Sequence, residues 1–297
     1  MLAWTDPLSR SQRLEIGEIR LELGREIVGQ SQAVHQIVTA LRQFSLQSND
    51  PEHRKLLLLP FTGWVGVGKV GLDTASNVVK HSSFQTHTAT ILSHLLPCNH
   101  NLNFISCSLI SMDLIRRIRE KTALTCGYGL VVLDDCDLED RMVEDFIKSL
   151  VIELEQTIES KSSGTILVIT TSSGAKTVNR LAARHLKTGG SLAELSSSDL
   201  LAELEQDPSL SFISRLTSSS VITQTVPFLP LTTSTVRDCI TRLGRDQGLD
   251  LSPGQVGAVL DMQQVTVAGN TELVTTGCKQ VVSKMDLVRG GGPVRDL

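Results

Sequence analysis

A glycine-rich segment that ends in a lysine carries the clearest chemistry in this chain. It matches G-x-x-x-x-G-K and consists of Gly63, Trp64, Val65, Gly66, Val67, Gly68 and Lys69. Glycines let backbone N–H groups close around phosphate oxygens, and the lysine reaches the terminal phosphates. An apolar run precedes the segment, and a stretch that can be helical follows it. This context predicts a nucleotide-binding loop, whereas a bare match would also fit a plain glycine-rich turn.

The residue after the lysine departs from the usual pattern. A serine or threonine normally stands there, and its hydroxyl binds the Mg²⁺ ion that accompanies the nucleotide. This chain has Val70, whose side chain contains no polar atom. Val70 closes the predicted nucleotide-binding segment but cannot supply that hydroxyl.

Two adjacent aspartates form the second candidate feature. Asp134 and Asp135 directly follow the apolar run from Gly129 to Leu133. A carboxylate at the end of a buried strand beside a phosphate loop can hold Mg²⁺ through its water shell, and its neighbour can polarise an attacking water. Acids also cap many strand ends, so the pair alone is a weak signal. Together with the loop about 65 residues upstream, it predicts a Walker A and Walker B set.

The elements that must position these residues are short apolar strands alternating with helices. Runs rich in Leu, Ile or Val predict three strands, at Leu56–Phe61, Gly129–Leu133 and Thr165–Thr171. Segments with helical spacing of apolar residues separate them, including 112–121 and 142–158. Strands that are buried on both faces and alternate with helices predict an α/β fold with a central parallel sheet flanked by helices.

Helical regions flank this sheet in the sequence. Apolar spacing from Leu14 to Phe44 predicts two helices that are broken near 28–30. Beyond Pro230 the strand character fades, and three short helices are predicted, at 232–248, 252–262 and 277–288. We therefore expect an α/β nucleotide-binding domain over 1–229, including the N-terminal helices, and a small helical domain over 230–297.

Composition excludes several functional classes. The 297 residues include 28 Lys and Arg against 32 Asp and Glu, which argues against a nucleic-acid binder held by bulk charge. No apolar stretch approaches the ~20 residues of a membrane helix, and the N-terminus lacks the pattern of a secretory signal. The six cysteines include no CxxC pair and no zinc spacing, so most are expected to be small buried hydrophobes.

Four stretches resemble the torsins, a family of AAA+ ATPases related to the Clp/HSP100 branch. The tryptophan-bearing loop 63–69 and the triplet Gly277-Cys278-Lys279 are specific to torsins among AAA+ proteins. The other two are Val28-Gly29-Gln30 and Val226-Pro227-Phe228-Leu229-Pro230-Leu231. Their order and spacing cover nearly the whole chain.

The resemblance implies an α/β P-loop domain followed by a small helical lid, with ATP and Mg²⁺ bound at their junction. Lys69 would hold the β and γ phosphates, and Asp134 would hold the hydrated Mg²⁺. Asp135 stands where torsins carry the catalytic glutamate. Lys279 matches the lid residue that senses the γ-phosphate.

The hydrolytic positions depart from the family pattern. Torsins usually have asparagine at the position of Val70, and Asp135 is one methylene shorter than glutamate. Its carboxylate would lie about 1.5 Å further back, and a misplacement of about 1 Å can cost ~100-fold in rate. Ser172 lies near the position where the family's sensor asparagine orients the attacking water. Nucleotide binding is therefore better supported than nucleotide hydrolysis.

The resemblance also implies partners, a compartment and a redox-linked pair. Torsins associate with themselves and with membrane-anchored activator proteins, and they act on protein clients in the endoplasmic reticulum lumen and nuclear envelope. No signal is visible here, so we expect an incomplete N-terminus or a divergent member outside that compartment. Cys239 and Cys278 match a cysteine pair linked to redox state in the family, although two buried thiols would be the simpler interpretation.

Two functions remain open on the sequence. The first is a slow, activator-dependent ATPase that remodels protein partners. The second is a nucleotide-binding interaction protein that does not hydrolyse ATP. A P-loop kinase or GTPase would not explain the C-terminal triplet with Lys279.

Overall fold

The computed structural model describes residues 14–48, 56–63, 71–72, 79–80, 84–96, 103–123, 128–159, 164–216, 221–275, 277–278 and 281–289. Its helices are α1 (Ile16–Glu26), α2 (Ser31–Ser48), α3 (Phe84–Leu95), α4 (Met112–Ala123), α5 (Arg141–Glu159), α6 (Ala175–Lys187), α7 (Ser197–Glu205), α8 (Ser211–Arg215), α9 (Thr233–Asp246), α10 (Pro253–Asp261) and α11 (Val281–Arg289). Its strands are β1 (Leu56–Gly63), β2 (Gly71–Leu72), β3 (Val79–Lys80), β4 (Asn103–Ser106), β5 (Gly129–Cys136), β6 (Thr165–Thr171), β7 (Val221–Thr223), β8 (Val226–Phe228), β9 (Leu231–Thr232), β10 (Val265–Ala268) and β11 (Thr271–Val274).

A parallel sheet forms the centre of the molecule, which confirms the predicted fold class. Its strand order is β4-β5-β6-β1-β7, and β8 pairs with the last residues of β1. Pro60 lies inside the central strand β1, where a missing N–H would normally be costly. The residue falls between the part of β1 that pairs with β7 and the part that pairs with β8, so the ladder on that side is already interrupted there.

Side chains from the sheet alternate between two apolar layers. Leu57, Leu59 and Phe61 of β1 belong to a cluster with α1, α2, α3 and the C-terminal helices. Leu56 and Leu58 point to the opposite cluster, which contains residues of α4, α5, α6 and α7. Burial on both faces is the reason that these strands appear in the sequence as continuous apolar runs.

The C-terminal region contains a small β-sheet in addition to the predicted helices. The three helices α9, α10 and α11 lie close to their predicted positions, but β9, β10 and β11 form an antiparallel sheet beside them. The sequence analysis did not anticipate these strands. In β10 the first three residues are exposed and only Ala268 is buried, so the strand has no buried face that would mark it in the sequence.

The break between α1 and α2 has a structural reason. Gly29 has a φ of 74°, and a Cβ atom there would lie 2.5 Å from Cγ2 of Thr235. Gln30 is buried and forms two hydrogen bonds with the backbone of Leu229: its Nε2 donates to the carbonyl at 2.8 Å, and its Oε1 accepts from the N–H at 2.9 Å. Two of the four family-like stretches therefore contact each other.

Within the described residues, no helix is both long and apolar enough to cross a membrane.

Candidate nucleotide-binding site

The strand β1 carries the start of the glycine-rich loop to the carboxyl edge of the sheet. Gly63 is its last residue, and a Cβ there would lie 2.9 Å from Cβ of Phe228 and 3.1 Å from Nε2 of Gln85. This position therefore accepts only glycine without displacement of its neighbours. The remaining predicted loop residues, 64–70, lie outside the described residues, as does Lys279.

Asp134 is half-buried and is held by two threonine hydroxyls. Oγ1 of Thr86 donates to its Oδ1 at 2.8 Å, and Oγ1 of Thr170 donates to the same oxygen at 2.7 Å. Thr86 comes from the first turn of α3, and Thr170 comes from β6. The carboxylate is thus oriented from both sides by neutral donors.

Asp135 lies in a local irregularity of β5. The sequence analysis ended this strand at Leu133, but it continues to Cys136, with a register shift against β6 between these two residues. Asp135 is exposed and has a φ of 57°, in the left-handed region that a β-bulge can contain. Its N–H donates to Oγ1 of Thr170 at 2.8 Å. The irregularity separates the two acids, with Asp134 turned inward and Asp135 toward solvent.

Ser172 directly follows β6 and is exposed. The preceding residue, Thr171, is paired with Thr62 of β1 on one side and with Cys136 of β5 on the other. The structure therefore brings the start of the loop, both aspartates and Ser172 to one edge, formed by the carboxyl ends of β1, β5 and β6. Open α/β sheets bind their ligands at this edge.

Three residues at this edge were missed by sequence reasoning: Gln85, Thr86 and Thr170. Nε2 of Gln85 donates to the carbonyl of Thr171 at 3.2 Å, which fixes the first turn of α3 against the sheet. Thr170 is a polar residue near the end of the predicted strand Thr165–Thr171, and this position could have marked it as a site residue. Thr86 had no such signal, since residues 70–85 separate it from Lys69.

The oxygen donors present fit the Mg²⁺ ion that accompanies a nucleotide. Mg²⁺ is a hard cation that one or two carboxylates bind together with waters and phosphate oxygens. The Asp134 carboxylate and the Thr86 hydroxyl are such donors, and Asp134 lies at the same edge of the sheet as the start of the loop. A protein-only cage is not formed: among the described residues, no group of three or more His, Cys, Asp or Glu could hold a metal ion.

The described cysteines form two disulfides, in contrast to the expectation of isolated buried thiols. Cys239 of α9 is bonded to Cys278, with their Cα atoms 6.6 Å apart. Cys107, directly after β4, is bonded to Cys136 at the end of β5, with Cα atoms 5.0 Å apart. The second bond joins neighbouring strands two residues beyond Asp134.

An ion cluster lies behind the first turn of α3. Glu26 of α1 contacts Arg242 of α9 at 2.5 Å, and its other oxygen is 3.9 Å from Nε2 of the buried His87. The pKa of Glu26 is lowered to about 2, first by its interaction with His87 and then, against desolvation, by Arg242 and Arg25. The cluster connects the N-terminal helices, α3 and the C-terminal helices.

Comparison with known proteins finds sequence similarity to torsins. No protein-family model matches it. It is 24% identical to a Torsin-like protein of Caenorhabditis elegans over 79% of the chain and 67% of that protein. It is also 24% identical to Torsin-3A of Rattus norvegicus, over 80% of the chain and 61% of that protein.

The fold agrees with this relationship. Hsp104 of S. cerevisiae, solved in complex with casein, superposes with a TM-score of 0.51 over 93% of this chain and 46% of its own, at 14% identity. That likeness concerns the fold alone. The chain is therefore similar in sequence to torsins, and its fold has the α/β architecture of the AAA+ ATPases.

Proposed function

We propose that this chain binds ATP with Mg²⁺ at the carboxyl edge of its parallel sheet and acts as a torsin-like AAA+ ATPase. The observation that carries the proposal is the oriented Asp134 carboxylate at the same edge of the sheet as Gly63, where the glycine-rich loop begins; β6 lies between their two strands. In this function the ATP-driven movement of a lid, residues 230–297, remodels protein partners at the endoplasmic reticulum or nuclear envelope. Self-association and a membrane-anchored activator belong to the same proposal by family resemblance.

Each predicted site residue has a chemical role in this proposal. Backbone N–H groups of the loop from Gly63 to Val70 surround the phosphates, and Lys69 contacts the terminal ones. Asp134 holds hydrated Mg²⁺, which would neutralise charge on the phosphate oxygens. Lys279 senses the γ-phosphate from the lid.

Hydrolysis would require a second carboxylate that polarises water. Asp135 is exposed at the correct edge, and Ser172 follows the neighbouring strand. The short side chain of Asp135 supports slow turnover. The disulfide between Cys239 and Cys278 would tie α9 to the segment before Lys279, and so couple redox state to nucleotide affinity.

A nucleotide-binding scaffold without hydrolysis is the second candidate. The left-handed backbone of Asp135 and the lack of a polar group at Val70 favour it. The two candidates share the binding step and differ only in turnover, so one series of measurements separates them.

The test measures ATP and ADP affinity by calorimetry with Mg²⁺, beside Lys69→Ala as the control, and then phosphate release with and without a torsin activator domain. Micromolar binding that Lys69→Ala abolishes, with activator-dependent release, is expected for the ATPase. Binding without release supports the scaffold. If binding occurs without release, the double variant Asp135→Glu, Val70→Asn is measured next. An increase in its phosphate release would identify the parent chain as an impaired ATPase. Absence of binding in the parent chain contradicts both candidates.

A further inference from the structure

One carboxylate oxygen at the candidate site receives hydrogen bonds from two hydroxyls with different surroundings. Thr170 donates to Oδ1 of Asp134 and accepts the N–H of Asp135, so its hydrogen bonds join residues of β5 and β6. Thr86 donates to the same oxygen from α3. The two hydroxyls lie at nearly the same distance from this oxygen, 2.8 Å for Thr86 and 2.7 Å for Thr170. Only Thr86 belongs to α3, the first described helix after the glycine-rich loop.

The first turn of α3 lies against the start of that loop. Gln85 is buried, its Nε2 donates to the carbonyl of Thr171, and the same nitrogen lies 3.1 Å from the Cβ position of Gly63. Thr86 is the next residue, and it contacts Asp134. Consecutive residues of α3 therefore contact the loop's first glycine and the Walker B acid. In P-loop proteins the helix that follows the glycine-rich loop provides the Mg²⁺-binding hydroxyl.

A short hairpin explains how this helix can start so far from Lys69. The strands β2 and β3 pair antiparallel, with Gly71 opposite Lys80 and Leu72 opposite Val79. Opposite residues of an antiparallel pair lie about 5 Å apart, so the chain that leaves at Gly71 returns to nearly the same place at Lys80. The two ends of this segment therefore lie close together, although it lengthens the sequence between the glycine-rich loop and α3.

We propose that Thr86, and not the residue next to Lys69, supplies the hydroxyl ligand of nucleotide-bound Mg²⁺. This inference rests on the proposed nucleotide-binding function. A threonine hydroxyl can offer a lone pair to a cation while its proton stays on the Asp134 carboxylate, and a neutral oxygen is a ligand that Mg²⁺ accepts. Val70 has no such atom.

The first test compares ATP affinity in the presence of Mg²⁺ and of EDTA by calorimetry, on the full chain. Thr86→Val should keep the affinity measured in EDTA and lose at least ~10-fold of the gain that Mg²⁺ provides. Thr86→Ser should retain that gain. Thr170→Val is the comparison variant, because it removes the other hydroxyl from the same Asp134 oxygen; its loss of the Mg²⁺ gain should be clearly smaller than that of Thr86→Val.

A change of metal preference distinguishes a ligand from a residue that only positions Asp134. In Thr86→Cys the thiol should shift the cation that best supports ATP binding from Mg²⁺ toward Cd²⁺, since sulfur ligands prefer softer metals. Thr170→Cys and the parent chain, measured in the same Cd²⁺ series, should show no such shift. Unfolding midpoints of all variants show which of them are folded, and Thr86→Ala replaces Thr86→Val if the latter is not.

The outcomes separate the two proposals. Nucleotide binding that is absent in the parent chain overturns the proposed function and this inference with it. Binding with a Mg²⁺ gain that Thr86→Val retains overturns the inference alone. An equal loss in Thr170→Val likewise overturns the inference, because it shows that Thr86 acts only through Asp134.

Discussion

At the scale of single residues, side-chain amides and hydroxyls form hydrogen bonds between segments that are distant in the sequence. Gln30 shows this most clearly, because its side chain pairs with both backbone groups of Leu229 as a neighbouring strand would. The hydroxyls of Thr86 and Thr170 likewise hold the side chain of Asp134, because both donate to its Oδ1. Each of these contacts joins residues that are distant in the sequence.

Gln30→Ala is expected to lower the free energy of unfolding by about 2–4 kcal/mol, because it leaves the buried N–H and carbonyl of Leu229 without partners. Urea denaturation at pH 7 measures the change. Gln43→Ala, at an exposed position of the same helix α2, is the matched control and should change stability little. Equal stabilities for the two variants would contradict the structural role of Gln30.

At the scale of elements, the end of β5 is constrained from several sides. The register shift separates the two aspartates, Thr170 of β6 holds both of them, and the disulfide between Cys107 and Cys136 joins β5 to the end of β4. Because adjacent parallel strands carry the site, their relative position sets the position of the acids.

Cys136→Ala should lower the free energy of unfolding by about 3–4 kcal/mol under non-reducing conditions, the value expected for a cross-link with a sequence separation of 29. A reductant should remove most of the difference between the variant and the parent chain. Peptide mapping without reduction checks the linkage directly, and a digest that lacks the Cys107–Cys136 peptide would refute it.

At the scale of the whole molecule, the N-terminal helices, the nucleotide-side helix α3 and the C-terminal helices share one apolar cluster. Glu26 of α1 joins the same three regions through polar contacts, since it contacts Arg242 of α9 and His87 of α3. The C-terminal helices that form the proposed lid therefore share an apolar cluster with α3, whose first turn lies at the candidate nucleotide-binding site.

Glu26 also makes stability depend on pH. Its folded-state pKa of about 2 lies below the ordinary value of 4.5, so its stabilising contribution is present above pH 4.5 and is lost as the pH falls toward 2. Glu26→Gln should therefore be less stable than the parent chain at pH 7, and the difference should shrink as the pH falls through this window. Denaturant unfolding at a series of pH values measures it.

The control for this effect is Glu22→Gln, which removes an exposed ion pair with Arg25 and should have a small effect. A difference between Glu26→Gln and the parent chain that stays constant from pH 7 to pH 3 would contradict the assignment.

Local patterns in the sequence predicted the parallel sheet, the helices around it and the pair of aspartates after one of its apolar runs. These features have local signals: apolar runs buried on both faces, helical spacing, and acids directly after an apolar run. The antiparallel strands β10 and β11 lacked such a signal because they are short and β10 is largely exposed.

The packing of separate elements in the tertiary structure sets which residues complete the candidate site and which distant stretches contact each other. Thr86 contacts Asp134 although residues 70–85 separate it from Lys69, and the pairing of β2 with β3 brings Gly71 and Lys80 close together. Gln30 meets Leu229 across 199 positions. Local patterns follow from the geometry of a single element, whereas these contacts depend on how separate elements pack, and no residue spacing encodes that packing.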